Sequence, residues 1–311
     1  MSSGSNGSGF SDDIADVVDR LYIVIPAFNH WPQTKRCLDS LSASSHTGFH
    51  VIVVDHGSKD ETKDDLPRLY PDVIHLVESE SLWWAGAVNV GVREAMRRGA
   101  RFIMLLNADC VAAPTLIGAI LSHVLATELK VIAPVQYSLQ TGKAWTRHIG
   151  SCFSLGFPTL SLPVGYGADV GRHVLIRTMM IVGGRGVVIP ASVFDRVGYF
   201  DENRLPHYGA DHDFYLRCRK HDVGLYVAGD AAVFVDEARS TLARDIGRLD
   251  VRQFIDTLFN RRSHRNVGDM RSLFRAHYPI RRLYLIGVTL NVVRYVVSYA
   301  WNKLFRVVFR N

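Results

Sequence analysis

Polar side chains end two of the most apolar segments of the chain. Asp55 closes the segment 50–55, and Asn107 and Asp109 close the segment 101–109. Mg²⁺ and Mn²⁺ prefer oxygen ligands, and such a cation neutralises the negative charge that grows on a diphosphate leaving group. Asp109, at the end of a hydrophobic strand, is the natural ligand. The pattern predicts a cation-assisted phosphate chemistry at this end of the segments.

Two more aspartates lie two positions apart, in the segment 207–224 that we interpret as a turn, a helix and a glycine stop. Residues two apart on a helix point to different faces, so only one of them can reach a substrate. Asp213 has Arg217 four residues on, a spacing typical of surface ion pairs. Asp211 is therefore the candidate general base, which takes the proton of an attacking hydroxyl as the new bond forms. We interpret His212 as a solvated histidine at the helix start.

The elements around these residues predict an α/β fold. Apolar, β-branched runs at 21–26, 50–55, 73–77 and 101–109 alternate with helical patterns such as 33–41, 85–99 and 114–126. This alternation indicates a mostly parallel central sheet with helices on both faces. Ligands of such sheets bind at the carboxyl ends of the strands. The side chains expected there are Asn29, Asp55, Asn107 and Asp109.

The rest of the chain divides around that sheet. Residues 1–20 are predicted as a flexible lead, 21–238 as the catalytic domain and 239–311 as a basic helical extension. Within the domain, 134–180 lacks a helical period and suits a cleft-forming segment. Residues 179–190 indicate a strand, a glycine turn and a strand, and 225–236 indicate a final strand pair.

Composition excludes several protein classes. With 48% hydrophobic and 21% charged residues the chain is neither disordered nor collagen-like, and its four cysteines contain no CxxC pair, which excludes a zinc knuckle or a thioredoxin motif. The formal net charge is +6, whereas residues 239–311 hold 15 Lys and Arg against 4 Asp and Glu, so the preceding 238 residues carry a net −5. An acidic body with a basic tail argues against nucleic acid binding and for an anionic partner of the tail, such as a membrane surface.

Six segments, in this order, resemble glycosyltransferase family 2. They are IVIPAFN (23–29), VIVVDHGSKDET (51–62), AGAVNVG (85–91), LLNADC (105–110), VGYFDE (197–202) and ADHDFYLRCRKHDVG (210–224). The resemblance covers residues 21–236. It implies a GT-A fold, a nucleotide-sugar donor, a divalent cation and inversion at the anomeric carbon.

The resemblance also implies roles for single residues. Asp55 would read the uracil or thymine base, and Asp109 would hold the cation. The other positions implied around the donor are Pro26, Phe28, Asn29, Trp84, Asn89, Asn107, Gly183 and Gly184. Three positions depart from the family pattern: Asn107 replaces the first Asp of Asp-x-Asp, Ala210 replaces a Glu, and VFVDEARS (233–240) lacks the expected metal-binding His. Either Asp236 takes the place of that His or the position is open.

Some assignments stay open between two interpretations. Trp83 and Trp84 either stack on a sugar or fill the core, and Trp145, Arg147 and His148 are acceptor candidates from the variable segment.

The 19 mostly apolar residues from Leu283 to Trp301 are nearly long enough to span a bilayer. Arg294 lies in their middle, and a mid-span Arg costs about 2.5–3.5 kcal/mol, so an amphipathic helix is favoured over a spanning one. Such a helix lies on a membrane, on the body of the protein or on a second subunit.

These features predict an inverting glycosyltransferase that moves a sugar from a UDP- or dTDP-linked donor to a carbohydrate or lipid-linked glycan hydroxyl, during surface polysaccharide synthesis. Mg²⁺ or Mn²⁺ is the expected cofactor, and a cytoplasmic location, peripheral at the membrane, is expected.

Two alternatives remain. Nucleotidyl transfer onto a sugar phosphate would want a glycine-rich loop after the first strand, where the chain has PAFNHWPQ (26–33). A non-catalytic binding module would explain the departures at Asn107 and Ala210.

Overall fold

The structure, a computed structural model, describes residues 18–124, 129–144, 147–165, 175–236 and 246–308. Its strands are β1 Leu21–Ala27, β2 His50–Asp55, β3 Ile74–Val77, β4 Phe102–Leu106, β5 Cys110–Ala112, β6 Lys130–Ser138, β7 Arg147–Cys152, β8 Phe157–Gly165, β9 Leu175–Arg177, β10 Arg185–Pro190 and β11 Gly224–Val235. Its α-helices are α1 Trp31–Ser42, α2 Thr62–Leu69, α3 Trp83–Arg97, α4 Leu116–Val124, α5 Ala191–Val197, α6 Ala210–Lys220, α7 Val251–Phe259, α8 Val267–His277 and α9 Tyr284–Val308.

One mixed sheet organises the fold. Its strands run in the order β3-β2-β1-β4-β10-β6-β11-β5, with β9 paired to β11. The β3-β2-β1-β4 half is parallel, whereas β10 is antiparallel to both of its neighbours. β7 and β8 form a separate antiparallel hairpin. The predicted α/β class, the parallel half and the C-terminal helices are confirmed.

Alternate residues of the central strands enter two cores, one on each face of the sheet. Val24 and Val54 pack on the face that also holds Val88 of α3 and Phe214 of α6. Ile23 and Val53 pack on the opposite face, with Leu38 of α1 among their neighbours. Strand residues alternate between faces, so a continuous apolar run is what burial on both faces requires. The parallel strands therefore end at one edge of the sheet, and the polar residues that follow them lie there.

Three predicted elements differ in detail. β4 ends at Leu106, so Asn107 and Asp109 lie in the turn between β4 and β5. The segment 178–184 is not a strand, and only β10 follows the glycines. Residues 224–235 form one long strand whose pairing with β6 shifts register between Ala228 and Ala232, not a strand pair.

The C-terminal helices pack against α6 through a buried ionic network. Asp213 is only 3% exposed, and its carboxylate accepts hydrogen bonds from Arg217 Nε (2.7 Å) and from His277 Nε2 of α8 (2.8 Å). Arg217 also donates to the carbonyl oxygens of Val197 and Tyr199. The prediction of a surface pair at Asp213 and Arg217 is therefore wrong, because α8 covers the pair.

Replacing Asp213 by Asn tests this network. Burial opposes ionisation of Asp213, yet the bonds from His277 and Arg217 lower its pKa below the ordinary 3.8. The stabilisation is therefore complete above about pH 5 and is lost as the pH falls through the depressed value. We expect Asp213→Asn to cost about 3 kcal/mol of unfolding free energy at pH 7, and the gap to wild type to close below pH 4, in urea titrations at several pH values.

Asp195→Asn is the matched control, since Asp195 is exposed on α5. Its effect should stay within about 0.5 kcal/mol at every pH. An Asp213→Asn variant as stable as this control at pH 7 would contradict the network's role.

Candidate active site

The loops after β1 and β2 are tied to each other at the strand ends. Asn29 adopts a left-handed backbone conformation (φ 56°), which Asn tolerates better than most residues. Its N–H donates to Ser58 Oγ (2.7 Å), and its side-chain oxygen accepts from the N–H of Lys59 (2.9 Å). The N–H of Ser58 donates to Asp55 Oδ1 (2.8 Å). These bonds fix the predicted donor residues Asn29 and Asp55 in one rigid loop pair.

The second oxygen of Asp55 faces a histidine from the next strand. Asp55 is 1% exposed, and its Oδ2 lies 3.9 Å from His75 Nε2 of β3. The ring of His56 stacks on Phe28, with centroids 5.2 Å apart. Burial lowers the pKa of both His56 and His75, although Asp55 opposes that shift, so both rings are neutral at pH 7. Within the described residues, His56 Nδ1 and His75 Nε2 are buried without a hydrogen-bond partner.

Asn107 is held by the glycine turn and by an indole. Its N–H donates to Gly184 O (2.7 Å), and its side-chain oxygen accepts from Trp84 Nε1 (3.0 Å). A Cβ on Gly184 would lie 3.1 Å from both Trp84 and Leu105, so a larger residue there would require these side chains to shift by a few tenths of an ångström. Trp84 also packs edge-on against Phe200 (5.4 Å). Trp84 is thus half-buried, with one packing contact and one polar contact to Asn107, and its role at the donor stays a prediction.

Asp109 and Asp236 are joined through the backbone but face different partners. The N–H of Asp236 donates to Asp109 O (2.9 Å). The carboxylate of Asp236 pairs with Arg36 and accepts from the amide groups of Gln33 (3.2 Å) and Gln140 (2.6 Å). A carboxylate already neutralised by a guanidinium is a poor cation ligand, which argues against the alternative that Asp236 binds the metal. Asp109, half-buried, remains the carboxylate of this corner.

A cation here would rest on few protein ligands. The described part of the chain contains no group of three or more His, Cys, Asp and Glu that could hold a metal. Mg²⁺, however, is commonly bound by one or two carboxylates together with substrate phosphates and water. Asp109 alone meets that minimum, so the residues present fit a cation that arrives with a diphosphate.

Asp211 is the second carboxylate of the site and is held ionised. It lies in the first turn of α6, where the helix dipole favours negative charge. Oδ2 accepts from the N–H of Gly183 (2.7 Å), and Oδ1 accepts from His212 Nδ1 (2.9 Å). Burial opposes ionisation, but the charge and hydrogen bond of His212 and the Gly183 N–H lower the pKa of Asp211 to about 2. His212 is therefore a partner of the base and not a solvated histidine.

Tyr208, just before α6, is influenced by both carboxylates. Burial raises the pKa of the Tyr208 phenol, Arg185 lowers it, and the charges of Asp211 and Asp109 both raise it. The glycine turn joins the surroundings of the two aspartates: the N–H of Gly183 donates to Asp211 Oδ2 (2.7 Å), and Asn107, two residues before Asp109, donates its N–H to Gly184 O (2.7 Å).

His207 extends this cluster toward the nucleotide end. Burial lowers its pKa to about 4, with His56 and Arg262 acting in the same direction and Asp211 against it. Its ring lies 5.8 Å from the ring of Trp83, whose other neighbour is the guanidinium of Arg262 at 6.0 Å. Trp83, half-buried with φ 53°, is a ring at the edge of the site and not part of the core.

Other predicted residues have different surroundings. Asn89 is 1% exposed and both of its amide hydrogens are used, by Phe200 O (2.9 Å) and Glu202 Oε2 (2.7 Å), so its contacts brace α3 against the 198–202 segment. Pro26 is buried within β1. Trp145 lies outside the described residues. Arg147 and His148 begin β7, and their side chains are also outside what the structure describes.

Sequence comparison assigns the family. The chain matches the family model "Glycosyl transferase family 2" over residues 22–171 and "Glycosyl transferase family group 2" over residues 102–309. The chain belongs to glycosyltransferase family 2. It is therefore a glycosyltransferase enzyme that uses nucleotide-sugar donors, and the predicted GT-A fold is confirmed by solved structures.

The relatives are distant. An uncharacterised protein of Mycobacterium tuberculosis is 26% identical over 209 residues, 66% of this chain and 70% of that protein. Validoxylamine A glucosyltransferase of Streptomyces hygroscopicus is 25% identical over 236 residues, 69% of this chain and 54% of that enzyme.

Two solved structures show the shared fold over most of the chain. Residues 1–349 of S. aureus TarS superpose with a TM-score of 0.56 at 13% identity, covering 90% of each chain. GalNAc-T7, solved with UDP, GalNAc and Mn²⁺, gives a TM-score of 0.60 at 12% identity, covering 91% of this chain and 57% of that one.

The partnership of Asp211 and His212 predicts a shift in a titration. Removing the imidazole takes away the charge and the hydrogen bond that favour the carboxylate, while burial remains, so the pKa of Asp211 should rise well above 2. We expect the acid limb of the pH–activity profile of His212→Ala to move up by about one unit or more. His221→Ala, at the exposed end of α6, should leave the limb unmoved. An unshifted limb in His212→Ala would show that His212 does not hold the base ionised.

Proposed function

We propose that this enzyme is an inverting glycosyltransferase that moves a sugar from a UDP- or dTDP-linked donor to a hydroxyl of a carbohydrate or lipid-linked glycan, in surface polysaccharide synthesis. One observation carries the proposal. Asp211 accepts hydrogen bonds from Gly183 and His212, and Asn107, two residues before Asp109, donates its N–H to Gly184 O in the same glycine turn. A base and a separate carboxylate for the cation are the two groups that such a transfer needs.

The reaction follows from these groups as a single displacement. The acceptor oxygen forms a bond to the anomeric carbon while the bond from that carbon to the diphosphate oxygen breaks, and the acceptor proton passes to Asp211. Attack from the face opposite the leaving group inverts the configuration. A carboxylate ionised at pH 7 is ready to accept this proton, which gains acidity as its oxygen bonds to carbon.

The loop pair after β1 and β2 would hold the nucleotide. Within the described residues no hydrogen bond to Asp55 Oδ2 is made, His75 Nε2 lies 3.9 Å away, and this oxygen can accept the N3–H of uracil or thymine. The stacked rings of Phe28 and His56 line the same end, and the unpartnered His56 Nδ1 and His75 Nε2 offer further polar contacts. Gly183 and Gly184 would lie beneath the donor sugar, beside Asn107.

A divalent cation is the proposed cofactor. GalNAc-T7 and a Pyrobaculum calidifontis mannosyltransferase were each solved with Mn²⁺ and a nucleotide ligand. Here Asp109 would hold the cation, which supplies positive charge to the departing diphosphate when it is bound. Arg185, close enough to counter the charge of Asp109 at Tyr208, adds fixed positive charge to that corner.

The other two readings have less support. A nucleotidyltransferase would use a glycine-rich phosphate loop after β1, which is replaced here by the bonded turn at Asn29. A degenerate binding module would have no reason to keep Asp211 ionised in a buried position, since burial of an unused carboxylate is costly.

Replacing the base separates chemistry from donor binding. Asp211→Asn should reduce transfer by at least a thousandfold, because the amide accepts no proton, while the donor dissociation constant changes less than threefold. Transfer can be measured by release of nucleoside diphosphate and binding by calorimetry. Asp222→Asn, an exposed residue after α6, is the matched control. Near-normal turnover in Asp211→Asn would refute the assignment of the base.

The assignment of the cation to Asp109 is tested by comparing variants of Asp109 and Asp236. Asp109→Asn should weaken Mn²⁺-dependent donor binding tenfold or more. A chelator should then reduce donor binding less in this variant than in the wild-type protein. Asp236→Asn should leave the Mn²⁺ dependence unchanged, because that carboxylate serves Arg36. Equal losses of Mn²⁺ dependence in the two variants would mean that both carboxylates coordinate the metal.

A further inference from the structure

The C-terminal helix α9 presents a broad apolar face to solvent. Between residues 285 and 305 its exposed side chains are Leu285, Ile286, Thr289, Leu290, Val293, Val296, Val297, Ala300, Trp301, Asn302, Leu304 and Phe305. None of them is charged, and Val297 and Trp301 are 60% and 61% exposed. A helix of 25 residues is about 37 Å long. An uncharged exposed surface of that length marks an interaction site.

We propose that this face lies in the headgroup region of a membrane rich in anionic lipid, with α9 parallel to the bilayer surface. The attraction of such a helix to lipid combines burial of its apolar side chains with the charge of basic residues around them. The contacts and charges of α9 favour this occupant over the alternatives.

Cations lie at both ends of the apolar face. Arg281 and Arg282 are exposed just before α9, and Arg271 Nε of α8 donates to the hydroxyl of Tyr284 in the first turn (3.2 Å). Near the other end, Lys303 lies over the ring of Tyr299, 5.8 Å from its centroid. Residues 284–308 contain no Asp or Glu. The surroundings of the face therefore match an anionic surface.

The opposite side of α9 is attached to the protein along most of its length. Asn291, fully buried, donates from Nδ2 to Gly156 O (2.8 Å), and the guanidinium of Arg294 lies 4.6 Å from the ring of Phe157. The ring of Tyr299 stacks on Phe254 of α7 at 4.3 Å. The segment 281–305 is long and apolar enough to cross a bilayer by length and composition alone. Crossing would break these contacts, whereas lying flat keeps them and leaves Arg294 away from the lipid.

A second copy of the chain fits this face less well. An antiparallel pair of α9 helices would bring the Arg281–Arg282 end of one copy to the Lys303 end of the other, and a parallel pair would bring like ends together. Since α9 has no acidic residue, neither arrangement pairs these cations, whereas anionic headgroups do. Binding of the face to lipid does not depend on the proposed glycosyl transfer; delivery of a lipid-linked acceptor to Asp211 does.

Vesicle binding by the full chain tests the proposal. Vesicles of phosphatidylcholine with 30% phosphatidylglycerol should sediment the wild-type protein at low salt at least tenfold more efficiently than pure phosphatidylcholine. The variant Val293→Glu with Val297→Glu should lose at least tenfold of this binding. The matched control is Leu69→Glu, at an exposed apolar residue of α2 in the N-terminal half. It should bind vesicles as wild type does.

Donor calorimetry and thermal unfolding accompany each variant, so that a folding defect or a failure of the proposed enzyme function is seen separately from lost lipid binding. Light scattering after size exclusion reports the oligomeric state. Absence of wild-type binding to anionic vesicles would overturn the proposal. So would a wild-type dimer that the Val293→Glu, Val297→Glu variant converts to a monomer, because the occupant would then be a second copy. If a destabilised double variant obscures the result, Trp301→Glu alone serves as the second probe.

Discussion

The hydrogen bond from the Gly183 N–H to Asp211 is the contact on which the chemistry of this site depends. Burial of a carboxylate raises its pKa unless charges or donors compensate, and a protonated Asp211 could not accept a proton. The donors come from two directions: His212 from the same helix and Gly183 from the turn before β10. The same turn accepts, at Gly183 O, a hydrogen bond from the hydroxyl of Tyr215 (3.1 Å), so α6 and the glycine turn are fastened twice. The Gly183 bond therefore adds to the larger effect of His212 in favouring the ionised form of Asp211, and it ties α6 to the turn.

The two aspartates of α6 have separate partners. Asp211 faces the glycine turn, whereas Asp213 faces α8 and Arg217. Both are buried, and both have a pKa lowered by nearby donors. Their surroundings differ. The Asp213 carboxylate is enclosed by His277 and Arg217, whereas Asp211 lies near Tyr208 and His207. Contacts of Asp213 cross the predicted boundary at residue 239, so the basic extension supports the catalytic helix directly.

Local patterns predicted the sheet and the ends of its strands well, because burial on both faces requires continuous apolar runs such as 50–55 and the polar residues that follow them are few. Which residues pair across long distances in the sequence could not be predicted from local patterns. Asp236 is bound by Arg36, 200 residues away in sequence, and Asp213 by His277, 64 residues away. His75 could have been found from the sheet itself, since parallel pairing of β2 with β3 places Val77 beside Asp55 and His75 beside Val53. The positions of His207, Tyr208 and Arg262 had no such signal, because they depend on how loops fold over the sheet edge.

The basic extension meets the site as well as the exterior. The loop between α7 and α8 brings Arg262 over Trp83 and sets the ring of His264 against Tyr208, with centroids 6.1 Å apart. The helices on either side of this loop pack on α9, through Phe254 and Tyr299 and through Phe274 behind Gly287. These contacts do not by themselves establish that lipid binding and substrate binding are coupled. Coupling would need two conformations of the loop that lipid and substrate favour differently. The contacts do fix an order in space: the helix proposed to face lipid, its supporting helices, the loop, and then Trp83. An acceptor anchored in a membrane, as proposed, would approach Asp211 along that side, where Trp83 and the exposed Arg262 lie.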